Sequence, residues 1–483
     1  MILEEDFMSK QSSSVTQDIA FGFLPTDKKE RIFSFWDLML VQVVIGLSAF
    51  GLLTGAYTGT MLGPQESLAA IFFGNAFPMF LIAPIVLYFA RYGIDTFVGF
   101  RSSLGYKGAN AFFFIFLILT LGYMSIALFM AGQAVVEIAA WLNTPSFFSN
   151  QTTGAPFFAI LLFGIAFVIT ARGPAAIRKF NLFAVPAFIL FLVGLLGIIL
   201  FGKHIPALNT LLPAEPFETS SRSFVTALEI NIGLGFSWLP YLGQYSRLAK
   251  KESSAFKASF YSYGVIVCLA AVVGAFAALV VGSLDPASWM MAIAGTYGGL
   301  IGLILLTVAN VGATIFLMYS QAVSFKTLFS KKTWLFSMST TIPTVFLLLS
   351  STFYNAFGSF MSIISFTMAS LGGIIIADYF FVKKQNISLR QLYDTQGSYT
   401  YWKGINPSAI VAIIVGVIVY WGLYNPLTFE SSGLFLYMSA GIPTYFAALI
   451  SYYISAKYVF KYEVDQISEP IALSSEDLKN KAL

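Results

Sequence analysis

An all-α polytopic membrane protein of about twelve transmembrane helices is the fold class predicted, and three observations predict it. Of 483 residues, 57% are hydrophobic and only 10% are charged, against about 25% charged in soluble domains. Mean hydropathy is +0.78. Apolar runs near the roughly 20 residues that cross a hydrocarbon core recur along the chain, and basic residues gather in every second gap between them.

The segments follow one another with polar or turn-rich breaks. Runs at 34–57 and 66–90 lead to Arg91, Arg101 and Lys107. Runs at 108–140 and 154–171 are joined by "LNTPSFFSNQTTG", which has no basic residue, and are followed by Arg172, Arg178 and Lys179. Runs at 176–201 and 223–245 enclose Lys203 and Arg222 and lead to Arg247, Lys250, Lys251 and Lys257. Runs at 258–282 and 295–325 enclose the uncharged-to-acidic "GSLDPASWM" and lead to Lys326, Lys331 and Lys332. Runs at 333–350 and 354–380 precede Lys383, Lys384, Arg390 and Lys403, and runs at 407–424 and 432–456 complete the set. Lys and Arg collect on the cytoplasmic side of a membrane. With both termini cytoplasmic, only Lys203 and Arg222 fall outside, and a count shifted by one segment would scramble this segregation. The chain thus divides into an amino tail (1–33), a membrane body (34–456) and a carboxyl tail (457–483), expected in the plasma (inner) membrane as a multi-pass protein.

Composition also excludes. One cysteine, Cys268, and one histidine, His204, leave no disulfide framework, no zinc cluster and no Cys/His pair. The amino terminus begins polar and acidic and does not read as a cleavable signal. No phosphate loop, H-E-x-x-H or G-x-S-x-G element is present, so an enzyme is not expected. The net charge of +4 is topology information, and no nucleic-acid partner is inferred.

Two segments carry helix breakers. Segment one holds Gly46, Ser48 and Gly51, and segment six holds Glu229, Asn231, Gly233, Gly235 and Pro240 in "LEINIGLGFSWLP". Irregular backbone at membrane depth is tolerated only when packed in protein or lining a cavity. Breaks at positions one and six suit two inverted repeats of five helices, with segments eleven and twelve outside them. Glycines that merely let helices approach closely are the competing reading, favoured for a single glycine and less so for Gly, Pro and polar residues together at two matched positions.

Several stretches carry a family likeness: "LSAFGLLTGAYTG" in segment one, "GNAFPMFLIAPIVLYFARYGIDTFVGFRSSLGYKG" through segment two, "LGYMSIALF" in segment three, "QYSR" closing segment six, and "LGGIIIADYFFVKK" followed by "YWKGINPSAIVAIIVGVIV". On these the chain resembles the nucleobase:cation symporter-1 family from about residue 20 to 455. The resemblance implies the 5+5 inverted-repeat (LeuT-like, APC superfamily) fold with broken helices one and six. It also implies uptake of a small planar heterocycle such as a purine, cytosine, hydantoin or allantoin, in symport with Na⁺ or H⁺.

Site residues follow from the resemblance. The substrate ring would lie between an aromatic on segment three, here Tyr123, and one on segment six, whose position falls at Gly235 or Phe236, with Trp238 as the alternative. Gln42, Ser48, Asn231, Ser237, Asn310 and Gln321 are candidates to read its edge, since an unpaired buried polar group penalises the wrong substrate. The cation site would draw carbonyls from Ile45, Gly46 and Ser48, and from segment eight the positions Asn310, Ala313 and Thr314; Ala313 supplies no hydroxyl. Thr314 bonding back to its own helix is the competing reading. No cofactor is expected beyond Na⁺ as a coupling ion, and the protein is expected to work as a monomer in the lipid bilayer.

Glu229 is a carboxylate in a membrane segment, which is costly and functional by default. It is a candidate proton site, with Arg222 as a distant partner. Asp37, near the inner end of segment one, is expected to pair with an inner-loop base. A permease of the same fold for an amino acid or amine is the alternative function.

Overall fold

The computed structural model describes residues 24–329 and 331–462, so the ends of both predicted tails lie outside the described residues. These residues form helices throughout; three isolated bridges are the β features among them. Helix occupies each of the twelve predicted segments. Among the described residues, seven helices are long and apolar enough to cross a membrane, or eight if the bent first pair is one span. Their outward faces carry bare apolar side chains, such as Phe73, Ile118, Phe183 and Leu190, as does Ile418 on the shorter helix Pro407–Leu423, as a hydrocarbon solvent requires.

Segment one is two helices, Phe35–Leu47 and Ala49–Met61, bent by 45° at Ser48, whose backbone is extended. The bend explains Gly51: a Cβ there would strike the Gly46 carbonyl oxygen across it. Further along, Gly55 and Gly59 lie against the backbone of Ala271 and Ala275 in segment seven, where any side chain would collide. Small residues at four-residue spacing let two membrane helices approach this closely.

Segment six departs from expectation in where it breaks. Ser220–Ser237 is an unbroken α-helix, followed by the 3-10 turn Leu239–Tyr241 around Pro240, and the α-helix resumes at Leu242–Ser246. Gly233 and Gly235 stay helical. A Cβ on Gly233 would lie 2.9 Å from the Met361 carbonyl, and one on Gly235 would lie 2.8 Å from that of Gly74. These two glycines serve packing, and the proline alone sits at the interruption. Segment eight, Pro286–Leu328, kinks at Gly295, where φ is +68°; a side chain would be strained there.

The loops that charge assigned to one side meet at one end of the bundle. Residues 24–33, which the sequence assigns to the amino tail, are held there: Thr26 N–H donates to the Gly93 carbonyl, Arg247 to the Thr26 hydroxyl, and Phe33 exchanges bonds with Leu248 and Lys250. Asp37 pairs with Arg178 at 2.6 Å, as expected of an inner-loop base. Asp95, buried at the same end, accepts from Phe97 N–H and the Ser324 hydroxyl. Burial pushes its carboxyl up, against the pull of the Phe97 N–H, the Arg247 guanidinium and Ser324.

The two most family-specific motifs converge here as well. Asp378 of "IADYF" lies in a π-turn, Ala377–Val382, and pairs with Lys383 at 3.0 Å, both fully buried. In an α-helix, residues five apart are roughly 140° apart around the axis; the wider turn brings them together. Ser102 and Tyr452 donate to the same carboxylate, and Tyr401 and Asn406 of "YWKGINP" anchor to the Ser102 and Ser103 carbonyls. Removing one partner of such a pair leaves a buried charge. Asp378→Ala is therefore expected to cost about 3–5 kcal/mol, whereas Arg178→Ala at the exposed pair costs less than about 1 kcal/mol. Thermal unfolding of the detergent-solubilised variants measures both, and equal losses would contradict this division.

Candidate substrate and cation site

Segment three places Tyr123 at the level of both helix interruptions. Its ring packs edge-on against Phe50 at 4.8 Å and Phe360 at 5.1 Å, and its hydroxyl donates to Met361 Sδ at 3.7 Å, with the Ser237 hydroxyl, which donates to the Leu234 carbonyl, nearby. Phe50 lies two residues past the Ser48 bend, and Ser237 is the last residue of the α-helix before the segment-six turn. One turn earlier, the Thr120 hydroxyl shares a 3.1 Å bond with the Tyr241 hydroxyl inside that turn. The breaks in segments one and six thus face the same stretch of segment three.

The segment-six aromatics do not join Tyr123. Phe236 stacks on Tyr445 of segment twelve at 5.6 Å and 19°. Trp238 stacks on Tyr263 of segment seven at 4.9 Å and 13°. Gly235 faces segment two. One residue of helix advances the side chain by roughly 100°, so alignment to within a residue or two does not decide which face is presented. Phe50, Phe360 and Met361 went unpredicted, and with 50 Phe in the chain no local signal distinguishes them.

Four of the edge-reading candidates, Gln42, Asn231, Gln321 and Ser48, already hold partners elsewhere. Gln42 exchanges hydrogen bonds with Ser259 of segment seven at 3.0 and 3.3 Å. Asn231 accepts from Asn75 at 2.9 Å and donates to the Thr58 hydroxyl at 2.8 Å, tying segments one, two and six. Gln321 donates to Thr340. Ser48 donates to the Ile45 carbonyl at 2.7 Å, and Thr314 donates to that of Asn310 at 2.9 Å, the back-bonding read as its plainer role.

The structure does bring the span-one and span-eight positions together. Asn310 Oδ1 accepts the Ala49 N–H at 2.9 Å, which is the first amide of the helix beyond the bend. Asn310, Ala313 and Thr314 are fully buried. Gly46 packs against Val267 of segment seven.

Glu229 is fully used. Its Oε1 accepts from Ser365 at 2.8 Å and Tyr420 at 3.0 Å, and its Oε2 from the N–H groups of Ala440 and Gly441 at 2.9 and 3.0 Å. The last two open the helix Gly441–Ile454, so the carboxylate caps that helix and joins segments six, ten, eleven and twelve. Arg222 is not its partner; it pairs with Glu218 at 2.7 Å.

Residues 25–447 match the family described as permease for cytosine/purines, uracil, thiamine and allantoin. The chain belongs to this permease family. The permease is 25% identical over 412 residues to a hydantoin permease of Microbacterium maritypicum, covering 80% of this chain and 79% of the relative. It is 24% identical over 446 residues to a purine-uracil permease of Arabidopsis thaliana, covering 85% and 72%. Its fold resembles that of Mhp1, a nucleobase-cation-symport-1 family transporter solved in a closed conformation with bromovinylhydantoin bound, with a TM-score of 0.74 at 19% identity over 95% of this chain and 98% of that one. The permease is accordingly a membrane transporter and not an enzyme.

Removing the Glu229 carboxylate leaves the Ala440 and Gly441 amides without their acceptor. Glu229→Ala is expected to cost about 1–3 kcal/mol and to speed hydrogen exchange at those two amides. Thermal unfolding and exchange mass spectrometry report the two effects, and an unperturbed carboxyl-terminal helix would rule out the cap.

Proposed function

We propose that the permease imports a small planar heterocycle, a purine, cytosine or related nucleobase, hydantoin or allantoin, by symport with H⁺ or Na⁺. The single observation that carries this reading is the family match across 25–447; the convergence of both helix interruptions on Tyr123 supports where the ring would bind. The proposed architecture is twelve spans, ten of them in two inverted repeats whose broken first and sixth helices expose half-helix ends to the ligand. Both termini face the cytoplasm in the inner membrane, and one chain suffices for transport.

The mechanism is alternating access. Substrate and cation together stabilise the occluded state, and linkage makes each tighten the other. Tyr123, Phe50 and Phe360 supply apolar faces for a flat ring, and Ser237 and Ser48 are the polar groups at the adjoining breaks. Offset stacking adds about 0.5–1.5 kcal/mol per aromatic pair beyond area burial, so edge hydrogen bonds carry discrimination. Glu229, with all four of its acceptor positions engaged by donors, acts in this reading as a fixed cap and not as the proton carrier.

Binding is measured by thermal shift of the purified permease against a panel of nucleobases, hydantoins and allantoin, because a ligand of the folded state alone raises the melting point. Tyr123→Ala is expected to weaken the best ligand by about tenfold or more, the equivalent of at least one lost aromatic contact with its area. Phe236→Ala, which faces Tyr445, should leave affinity within about twofold, as a residue outside the contact does. The reverse order, or stabilisation by amino acids alone, would overturn the assignment.

A further inference from the structure

The junction between segments one and eight is where the family resemblance assigns a coupling Na⁺, and the donor set there does not suit one. A hard cation is held by several oxygen atoms with free lone pairs. Ala313 offers no side-chain oxygen. On segment eight that leaves one hydroxyl, Thr314, whose proton goes to the Asn310 carbonyl while its own lone pairs stay free, so the side chains there offer a cation a single hydroxyl ligand. Asn310 adds a side-chain amide to this small, fully buried space.

The orientation of that amide is fixed by its neighbour. Oδ1 must face the Ala49 N–H, since the reversed amide would set two donors against each other. Nδ2 therefore turns its two N–H bonds away from Ala49, and among the described residues it has no hydrogen-bond partner. A buried N–H group carries positive partial charge, and a cation placed beside it is repelled.

We propose that the Asn310 side chain takes the structural place of the coupling Na⁺, bridging segments one and eight by capping Ala49, so that this permease binds no Na⁺ at that junction. This rests on the transporter reading above and deepens it: of the two candidate coupling ions, H⁺ remains. The unpaired Nδ2 is left as a donor for a water or a substrate acceptor.

The test uses the full-length purified chain, radiolabelled Na⁺ as the probe and no organic ligand, so that an error in substrate class leaves the result readable. Asn310→Asp is isosteric, keeps an oxygen on Ala49 N–H and exchanges the N–H donors for an anionic oxygen. The wild type is expected to show no saturable Na⁺ binding and the same melting point in sodium and choline chloride of equal ionic strength. Asn310→Asp is expected to gain saturable Na⁺ binding, lost again on adding Thr314→Ala, and to melt higher in sodium. Saturable Na⁺ binding by the wild type that Thr314→Ala abolishes would overturn the proposal. A folded Asn310→Asp protein that gains no Na⁺ response would overturn it equally, because the amide donor would not then be what excludes the ion.

Discussion

A backbone N–H that leaves its helix inside a bilayer has no water to accept it, and an orphaned group there costs several kcal/mol. The Ala49 amide, exposed by the bend at Ser48, meets this requirement through Asn310 Oδ1. That single bond lets segment one bend, and the bend lets Phe50 turn its ring to Tyr123. It also couples the bent segment to segment eight, so that any movement of one is felt by the other. Segment six meets the same constraint differently, by a 3-10 turn around Pro240 whose neighbours Thr120 and Gln244 engage Tyr241 and the proline carbonyl.

Buried charge is handled with equal economy. Glu229 accepts from four donors on three other segments, and Asp378 is met by Lys383, Ser102 and Tyr452. A half-satisfied network would be worse than an apolar one, which accounts for the company these carboxylates keep. Both networks attach segment twelve to the rest of the bundle, one near each end: Glu229 through Gly441, and Asp378 through Tyr452. The last helices, outside the proposed repeats, are thereby fixed to segments six and ten.

Helix approach supplies the remaining rigidity. The glycines of segment one and the alanines of segment seven bring two backbones into contact, and the Asn75–Asn231–Thr58 chain crosses from segment two through six to one. Segments one, two, six and seven are thus tied by close packing and buried hydrogen bonds. At the end of the bundle where residues 24–33 are held, segment one also meets segment five through the exposed Asp37–Arg178 pair, an interaction that solvent weakens.

The sequence by itself determined that the chain is a polytopic helical membrane protein, where its segments lie, which loops share a side, and which family it resembles. Hydrophobic runs, the placement of Lys and Arg, and local motifs are properties of neighbours along the chain, so they can be read there. It also marked Ser48 and Glu229 as residues that an apolar helix does not need, whereas Tyr123 and Asn310 stood out through the family resemblance. Only the tertiary structure decided their partners. That Phe236 and Trp238 turn to Tyr445 and Tyr263, that Gly233 and Gly235 pack without breaking the helix, and that Glu229 caps a helix more than 200 residues away all depend on helix rotation and on contacts between distant segments. A rotation of one residue changes which face meets the site, and no pattern along a uniformly apolar helix records it.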